Sequence, residues 1–243
     1  MTALRYVYAL CRPFGAALQV QPAGVGGDPP RMLHHRGLVA VVGHVPEEDF
    51  AEALSTASGA EAVERAHQQV VDALTAVTTP LPFRAGVVFR DDSAVRVMME
   101  RCEASFWDTL ERLEGCVEWR VRVFDATWEL AGRDVVDDFA ARLHRDLADR
   151  ADEERLRVPP EEERPERSED GAERTALDAA YLVSRTASEG FVEHVRRAAR
   201  DVRGGRVWLT GPWAAYDFAQ DDGPWRDADP VPGMGEGGEA NDG

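Results

Sequence analysis

The chain has 243 residues, 44% of them hydrophobic, which is enough for one large domain or two small ones with a packed core. Its formal net charge of −17 argues against a nucleic-acid-binding protein, because phosphate binding requires a basic surface. All 28 basic side chains are arginine, and the absence of lysine excludes P-loop, Schiff-base and kinase-type lysines.

The sequence carries no signal for membrane insertion or secretion. It contains no apolar run of about eighteen residues, and its N-terminus lacks the basic region of a signal peptide, so we expect a cytoplasmic protein. Cys11, Cys102 and Cys116 are scattered and form no C-x-x-C pair, so neither a zinc site nor a disulfide framework is expected. These cysteines are interpreted as small buried apolar residues.

The first half of the chain alternates strands and helices. Residues 4–10 are predicted to form a strand, and residues 38–45, apolar on both faces, a buried central strand. Acidic residues after Pro46 are typical of the first turn of a helix, and a second helix is predicted over about 60–77. His67 lies on its apolar face, where a partly buried, hydrogen-bonded histidine is expected rather than a metal ligand.

Residues 83–89 are predicted to form a strand that is apolar except for Arg84. A buried arginine needs a partner, because an unpaired buried charge is strongly destabilising. Arg84 is therefore interpreted either as part of a salt bridge that locks the two halves of the chain, or as a docking contact for a carboxylate of a partner protein.

A third helix is predicted after Asp91 and Asp92, whose side chains can cap its first turn. Six apolar residues at helical spacing in the third helix are expected in the core: Val95, Met98, Cys102, Phe106, Leu110 and Leu113.

Gly115 marks a boundary between an N-terminal α+β domain, residues 1–114, and a second domain, residues 115–218.

Clean alternation over 116–124 predicts a strand of an antiparallel sheet, with apolar residues on one face and Glu118, Arg120 and Arg122 on the solvated face. A helix is predicted over about 134–150. Its apolar face is expected to contain Val135, Phe139, Leu143 and Leu147.

Residues 151–170 are charged and rich in proline, and are predicted to form a mobile acidic insertion. One long or broken helix is predicted over 173–202, followed by a last strand at 206–210 and a disordered acidic tail at 219–243. The order of elements lacks a regular βαβ repeat, which favours an α+β protein with two small antiparallel sheets.

Aromatic residues cluster just before the predicted tail, at Trp208, Trp213, Tyr216 and Phe218. One interpretation is a final segment that wraps back onto the sheet. The other is an exposed aromatic anchor for a protein partner, because Trp and Tyr are favoured at interaction hot spots.

No catalytic or metal-binding motif stands out. The six histidines include no H-E-x-x-H pattern, and the adjacent His34 and His35 point to opposite faces of a predicted strand. No G-x-S-x-G is present, and neighbouring carboxylates sit at predicted helix starts. We expect no catalytic residue, metal or cofactor.

Five stretches resemble the gas vesicle protein F/L family, in that family's order. The specific parts are a Leu-Pro-x-Arg strand before acidic residues and a terminal Leu-Thr-Gly-Pro-Trp. Ala85 and Val87 depart from the family's usual strand, and Ala214 and Ala215 replace its usual terminal prolines. The stretches are RYVYALC at 5–11, GLVAVVGHVPEEDF at 37–50, AHQQVVDALTAVTTPLPFRAGVVFRDDSAV at 66–95, LEGCVEWRVRVF at 113–124, and AYLVSRTASEGFVEHV with WLTGPWAAYDF near the end.

The resemblance implies a non-enzymatic assembly factor or minor component of the gas-filled shells that provide buoyancy. It implies two α+β domains, the C-terminal one ferredoxin-like with added helices. Its expected partners are the small hydrophobic, GvpA-like shell protein and other accessory gas vesicle proteins. Our hypothesis is that the inter-domain cleft, near Arg84 and the strand at 117–123, receives a helix or strand of the shell protein. Candidate partner-binding residues are Arg84, Phe83, Trp119, Arg120, Arg122, Trp213 and Tyr216.

Two other interpretations stay open from the residues alone. One is a ferredoxin-like or ACT-like regulatory module that binds a small molecule in a compact pocket. The other is a cofactor-free monooxygenase on a dimeric ferredoxin-like scaffold, for which His44, Trp119 and Trp128 are the candidate residues.

Overall fold

The structure is a computed structural model that describes residues 3–15, 22–125, 130–157 and 174–219. This described chain divides into two compact units. Unit 1 is built from residues up to Glu114 and from Ala214 onward, and unit 2 from Gly115–Trp213. Among the described residues, no helix combines the length and hydropathy needed to cross a membrane.

Unit 1 is organised around an antiparallel sheet of five strands among the described residues, in the order β2-β3-β1-β4 with β5 also paired to β1. The two long strands β1 and β3 are buried along most of their length, which is typical of central strands covered on both faces. The strands are β1 (Ala3–Cys11), β2 (Arg31–His35), β3 (Leu38–Pro46), β4 (Leu81–Pro82) and β5 (Val88–Phe89).

The three helices predicted in the first half of the chain correspond to four helices in unit 1. The side chain of Thr56 caps α2 by accepting a hydrogen bond from the Gly59 N–H, and the Asp91 side chain caps α3 through the Ala94 N–H. The predicted third helix divides at Cys102 into α3 and α4, and its six apolar residues are all buried. The helices are α1 (Glu47–Leu54), α2 (Ala57–Thr75), α3 (Asp92–Arg101) and α4 (Glu103–Leu113).

The segment that carries Arg84 differs from the prediction. The single strand expected over 83–89 is replaced by the short strands β4 and β5, which pair with different parts of β1. Arg84 lies between them and is exposed to solvent. The premise that Arg84 is a buried charge is therefore wrong.

Unit 2 has the order β-α-β-β-α-β, and its sheet has the strand order β7-β8-β6-β9 with every neighbouring pair antiparallel. This is the ferredoxin-like topology, as predicted for the C-terminal domain. The elements are β6 (Cys116–Asp125), α5 (Leu130–Ala148), β7 (Glu153–Leu156), β8 (Arg174–Ser184), α6 (Ser188–Asp201) and β9 (Gly205–Trp213).

The long helix predicted over 173–202 is wrong in its first part, which forms strand β8. This strand lies between β6 and β7, and Ala179, Tyr181 and Val183 face the helices while Ala180 and Leu182 are buried on the other face. A strand buried on both faces shows no alternation of polar and apolar residues, so its pattern resembles a helix. The second part of the prediction corresponds to α6.

Two further predictions in unit 2 need correction. Residues 153–156 were expected in a mobile insertion, yet they form β7 and pair with β8; residues 158–173 lie outside the described residues. In α5, Val135 is 51% exposed, and the core contains Val136 and Ala140 instead, so the apolar face is shifted by one residue at this end. Leu143 and Leu147 are buried, as predicted.

The chain returns to unit 1 after β9. Ala214, Ala215 and Phe218 are buried, and a short helix, α7 (Tyr216–Ala219), follows. Ala214 belongs to the core of unit 1, and Tyr216 packs against that core. The sequence placed 115–218 in one domain, whereas unit 2 ends at Trp213. The disordered tail was predicted to begin at residue 219, but Ala219 is buried at the end of α7. The rest of the predicted tail, residues 220–243, lies outside the described residues.

A buried polar network connects α2 to β1 in unit 1. The Nδ1 atom of His67 lies 3.1 Å from the Tyr6 hydroxyl, which accepts a hydrogen bond from the Gly86 N–H at 2.9 Å. The Tyr8 hydroxyl accepts a hydrogen bond from the Val25 N–H at 2.7 Å. Burial lowers the pKa of His67 to about 4 and raises the pKa of Tyr8 to about 12, so these rings stay neutral near pH 7.

Gly211→Ala is expected to destabilise the protein. Gly211 has φ of +129°, and a Cβ there would lie 2.8 Å from the Glu118 carbonyl oxygen and 2.9 Å from the Trp119 ring. The backbone conformation alone should lower the free energy of unfolding by about 1–3 kcal/mol, measured by urea denaturation. Gly190→Ala is the control, because Gly190 lies in α6 with no neighbouring atom within 4 Å. It should leave stability unchanged or raise it by up to about 1 kcal/mol; equal stability of the two variants would contradict the prediction.

Acidification is expected to destabilise unit 1 through His67. The pKa of His67 is lowered from 6.5 to about 4 in the folded chain, so the unfolded chain binds a proton between these values and the folded chain does not. The stabilisation of the folded chain by neutral His67 is fully present above pH 6.5 and is lost as the pH falls towards 4. The free energy of unfolding should therefore decrease by up to about 3 kcal/mol over this range.

The measurement compares the free energy of unfolding between about pH 7 and about pH 4.5 for the wild type and His67→Gln. The variant should show the shallower dependence on pH, because it has no imidazole to protonate. His34→Gln, at an exposed position of β2, is the matched control and should follow the wild type. The same pH dependence in His67→Gln and the wild type would show that protonation of His67 does not cause the loss of stability.

Candidate functional site

The sheet of unit 2 has two different faces. Helices α5 and α6 pack against one face, whose side chains form the core. Strand pairing places a second set of side chains on the other face, which we call the arginine face. It contains Glu118, Arg120, Arg122 and Phe124 of β6, Asp178, Ala180 and Leu182 of β8, and Arg206, Trp208, Thr210 and Trp213 of β9.

Two arginines share one carboxylate on the arginine face. Two guanidinium nitrogens of Arg120, Nε and Nη2, donate to Asp178 in a bidentate pair, with Nε donating to Oδ1 at 2.7 Å. The Nε atom of Arg122 lies 3.7 Å from Oδ2 of the same carboxylate. Bidentate pairing fixes the geometry of Arg120 and Asp178, and this trio carries a net charge of +1 in an otherwise acidic chain.

An aromatic and cationic cluster adjoins these arginines on β9. Trp208 is 48% exposed, and its ring makes an edge contact with Phe124 at 5.4 Å between centroids. The guanidinium carbon of Arg206 lies 5.0 Å from the Trp208 ring and 5.7 Å from the Phe124 ring. Cation–π contact of this kind holds Trp208 in place while much of its ring stays accessible.

The predicted site residues of unit 2 fall on both faces of the sheet. Arg120, Arg122 and Trp213 lie on the arginine face, where Trp213 pairs with Glu118 and is 36% exposed. Trp119 points to the helix-covered face instead, and its indole Nε1 donates a hydrogen bond to the Ser188 hydroxyl at 3.2 Å. Trp119 also borders a shallow pocket of about 290 Å³ lined mainly by side chains of α6.

The other three predicted site residues belong to unit 1 and have different environments. Phe83 is buried and its ring lies 6.4 Å from that of Phe106. Tyr216 is half-buried, with its ring 6.2 Å from His67. Arg84 is exposed. Phe83 is therefore a core residue, and Arg84 is the most accessible of the three.

Of Phe124, Arg206 and Trp208, the sequence prediction considered only Trp208, as one of the aromatic residues that could anchor a partner. A signal for two of them was present, because Arg206 and Trp208 are two positions apart in a predicted strand and so share a face. Their proximity to Phe124 depends on the pairing of β6 with β9, which joins parts of the chain that are far apart.

The residues considered for an enzyme do not form a catalytic group within either unit. His44 lies in unit 1, Trp119 lies in unit 2, and Trp128 is outside the described residues. The Arg31 Nε donates to His44 Nε2 at 3.2 Å, and Arg5 and Arg31 both bind Asp92. Hydrogen bonding from Arg31 lowers the pKa of Asp92 to about 2, so this cluster is an ionic link between the sheet and α3.

No group of three or more His, Cys, Asp or Glu side chains suited to a metal ion occurs in the part of the chain that the structure describes. Burial raises the pKa of the Cys11 thiol to about 12, which makes it an unreactive core residue. The exposed large apolar side chains described on the arginine face are Trp208 and Trp213, and they lie near arginine side chains of β6 and β9.

Comparison with solved structures supports the fold. The crystal structure of the gas vesicle protein GvpF from Anabaena sp. PCC7120 matches with a TM-score of 0.70 and covers 90% of this chain and 96% of that one. The GvpF structure from Microcystis aeruginosa matches with a TM-score of 0.68, covering 90% and 100%. Both are 17% identical in sequence, so they show the shared α+β fold.

Sequence comparison identifies the family. The chain is 38% identical to gas vesicle protein L of Streptomyces sp. (strain CB03234), covering 89% of this chain and 92% of that protein. It is 29% identical to gas vesicle protein F of the same strain, covering 86% and 81%. A family model described as gas vesicle synthesis protein GvpL/GvpF matches residues 4–134 and 128–220. The chain therefore belongs to the GvpL/GvpF family of gas vesicle synthesis proteins.

Proposed function

We propose that this chain is a non-enzymatic accessory factor in gas vesicle assembly, or a minor structural component, that acts where gas vesicles form. It binds the small hydrophobic, GvpA-like shell protein and other accessory gas vesicle proteins. The observation that carries the proposal is the family match, which extends over residues 4–134 and 128–220 and so includes both units.

Such a factor is needed because a hydrophobic shell subunit tends to aggregate before it is assembled. A protein that exposes apolar surface associates with its own copies unless a partner covers that surface. A partner with a high net charge keeps the resulting complexes apart by repulsion, and this chain has a net charge of −17. These properties suit a factor that holds shell subunits apart until they assemble.

We propose that the β9 side of the arginine face, where Trp208 and Trp213 are exposed, is the contact surface for the shell protein; Glu118, Ala180 and Leu182 on the same face are buried. Trp208 and Trp213 supply large apolar groups that are 48% and 36% exposed, and Trp and Arg are enriched at interaction hot spots. Arg120 and Arg122 both lie beside the carboxylate of Asp178 on this face. The two exposed tryptophan rings suit contact with an apolar segment of the shell protein.

Trp208→Ala is expected to weaken capture of the shell protein by about tenfold or more, because the substitution removes the exposed ring of the cluster. The experiment co-expresses the chain with the major gas vesicle shell protein and measures how much shell protein co-purifies. Val135→Ala is the matched control, because Val135 is exposed to a similar extent, 51%, on α5 of the same unit. It should capture as much shell protein as the wild type.

The two variants and the wild type distinguish whether the chain binds the shell protein from whether the arginine face is the surface that binds it. If the folded wild type captures no shell protein, binding of the shell protein is overturned. If the wild type and Trp208→Ala capture it equally, the arginine face is overturned as the contact surface, while binding itself stands.

Arg84→Ala tests the docking role predicted for Arg84. Its side chain is exposed, so the substitution is expected to change the free energy of unfolding by less than about 0.5 kcal/mol. Loss of shell-protein capture by this stable variant is the expected result if Arg84 contacts the partner. Capture equal to that of the wild type would exclude Arg84 from the interface.

A further inference from the structure

Unit 1 contains an apolar groove of about 220 Å³ between α1, α2 and the loop at 24–26. Its floor includes the buried side chains of Val45, Phe50 and Val63, and its walls include the small residues Ala53, Ala62 and Ala66. The groove has a single acidic lining residue, Asp49, which is exposed.

The groove exists because small residues separate two helices that meet closely at one end. A Cβ at Gly59 would lie 2.1 Å from the Ala53 carbonyl oxygen, so glycine is required where α2 begins beside the end of α1. Residues 62, 63 and 66 follow Gly59 at helical spacing and lie on the same side of α2. Alanine at 62 and 66 leaves the space that a larger side chain would fill.

The size of the groove fits one large apolar side chain. A cavity of about 150 Å³ lined by apolar residues accommodates a molecule of benzene, whereas binding sites for drug-sized ligands span about 300–1,000 Å³. A volume of about 220 Å³ therefore suits an inserted leucine, isoleucine or phenylalanine, and not a larger ligand.

The charges around the groove indicate which charged residues a partner should carry beside its apolar side chain. Helix α1 carries four acidic residues, Glu47, Glu48, Asp49 and Glu52, and no basic residue. On α2 the carboxylate of Glu61 already faces Arg65 at 3.5 Å. A complementary partner has lysine or arginine beside its apolar anchor. The chain's own residues 220–243 carry seven acidic residues and one arginine, so the rim repels them.

The walls of the groove also indicate how the partner binds. Helical backbone groups are bonded within each helix, so α1 and α2 present side chains and no strand edge to a partner. Apolar stripes of amphipathic helices bind grooves of this kind. We propose that the groove between α1 and α2 binds a basic amphipathic helix of a partner protein, with one large apolar side chain inserted beside Phe50 and Val63.

The test uses the full chain and two synthetic helical peptides with the same apolar stripe. One peptide carries lysine and arginine on its polar face, and the other carries glutamate. The dissociation constant of each fluorescently labelled peptide is measured by anisotropy. The basic peptide should bind at least about tenfold more tightly than the acidic peptide, because charge complementarity selects between them.

Ala62→Trp fills the groove and should weaken binding of the basic peptide by about tenfold or more. Ala51→Trp is the matched control, because Ala51 is an exposed residue of α1 that does not line the groove. It should bind the basic peptide as the wild type does. Asp49→Asn, a variant that leaves the groove open, should weaken this binding by about two- to fivefold, the effect expected of one exposed ion pair.

Three results would overturn the proposal. Equal binding of the basic peptide by Ala62→Trp and Ala51→Trp, with Asp49→Asn also unchanged, would show general attraction to an acidic chain. Equal affinity for the two peptides would remove the basis for a basic partner. Self-association of the wild type that Ala62→Trp abolishes would place a second copy of this chain in the groove. None of these measurements uses the shell protein, so the outcome is independent of the arginine face.

Discussion

The buried hydrogen bond between Tyr6 and His67 is the interaction on which unit 1 depends. It connects the middle of β1 to α2 within the core, where a polar group without a partner would be costly. The Tyr6 hydroxyl also binds the Gly86 N–H, which holds the segment between β4 and β5 against β1. The Tyr8 hydroxyl accepts a hydrogen bond from the Val25 N–H and so holds the loop at Val25 against β1. This loop forms one side of the apolar groove. The hydroxyl groups of Tyr6 and Tyr8, neighbours on one face of β1, therefore position two loops and a helix.

In unit 2, the comparable constraint is the register of β6. Its alternation places Val121 and Val123 under the helices and Arg120 and Arg122 on the arginine face. A shift of one residue would place both arginines in the core, so burial of the apolar face fixes the position of the charged one. The pairing of β6 with β9 brings Trp208 beside Arg122, so the proposed contact surface is a consequence of how the core is packed.

The fold was predictable where one side of an element is solvated. α2 and the stripe from Val95 to Leu113 have polar residues on one side, and their burial agrees with the prediction. In β6 the alternation was predicted correctly, but Glu118, expected on a solvated face, is buried. β8 was not predictable, because a strand buried on both faces loses its alternation. Of the predicted site, Arg120, Arg122 and Trp213 share a face of unit 2. Phe83 is instead a core residue, and Trp119 points to the helices.

The family could be recognised from motifs whose residues are adjacent in the chain, and the α+β class from the local periodicity and order of the predicted elements. The sequence also excluded lysine chemistry, since no lysine is present. The exposure of Arg84, the cluster of Phe124, Arg206 and Trp208, and the groove between α1 and α2 could be seen only in the folded chain. The physical reason is that exposure, ring contacts and cavities depend on pairing and packing between distant segments, which no local pattern encodes.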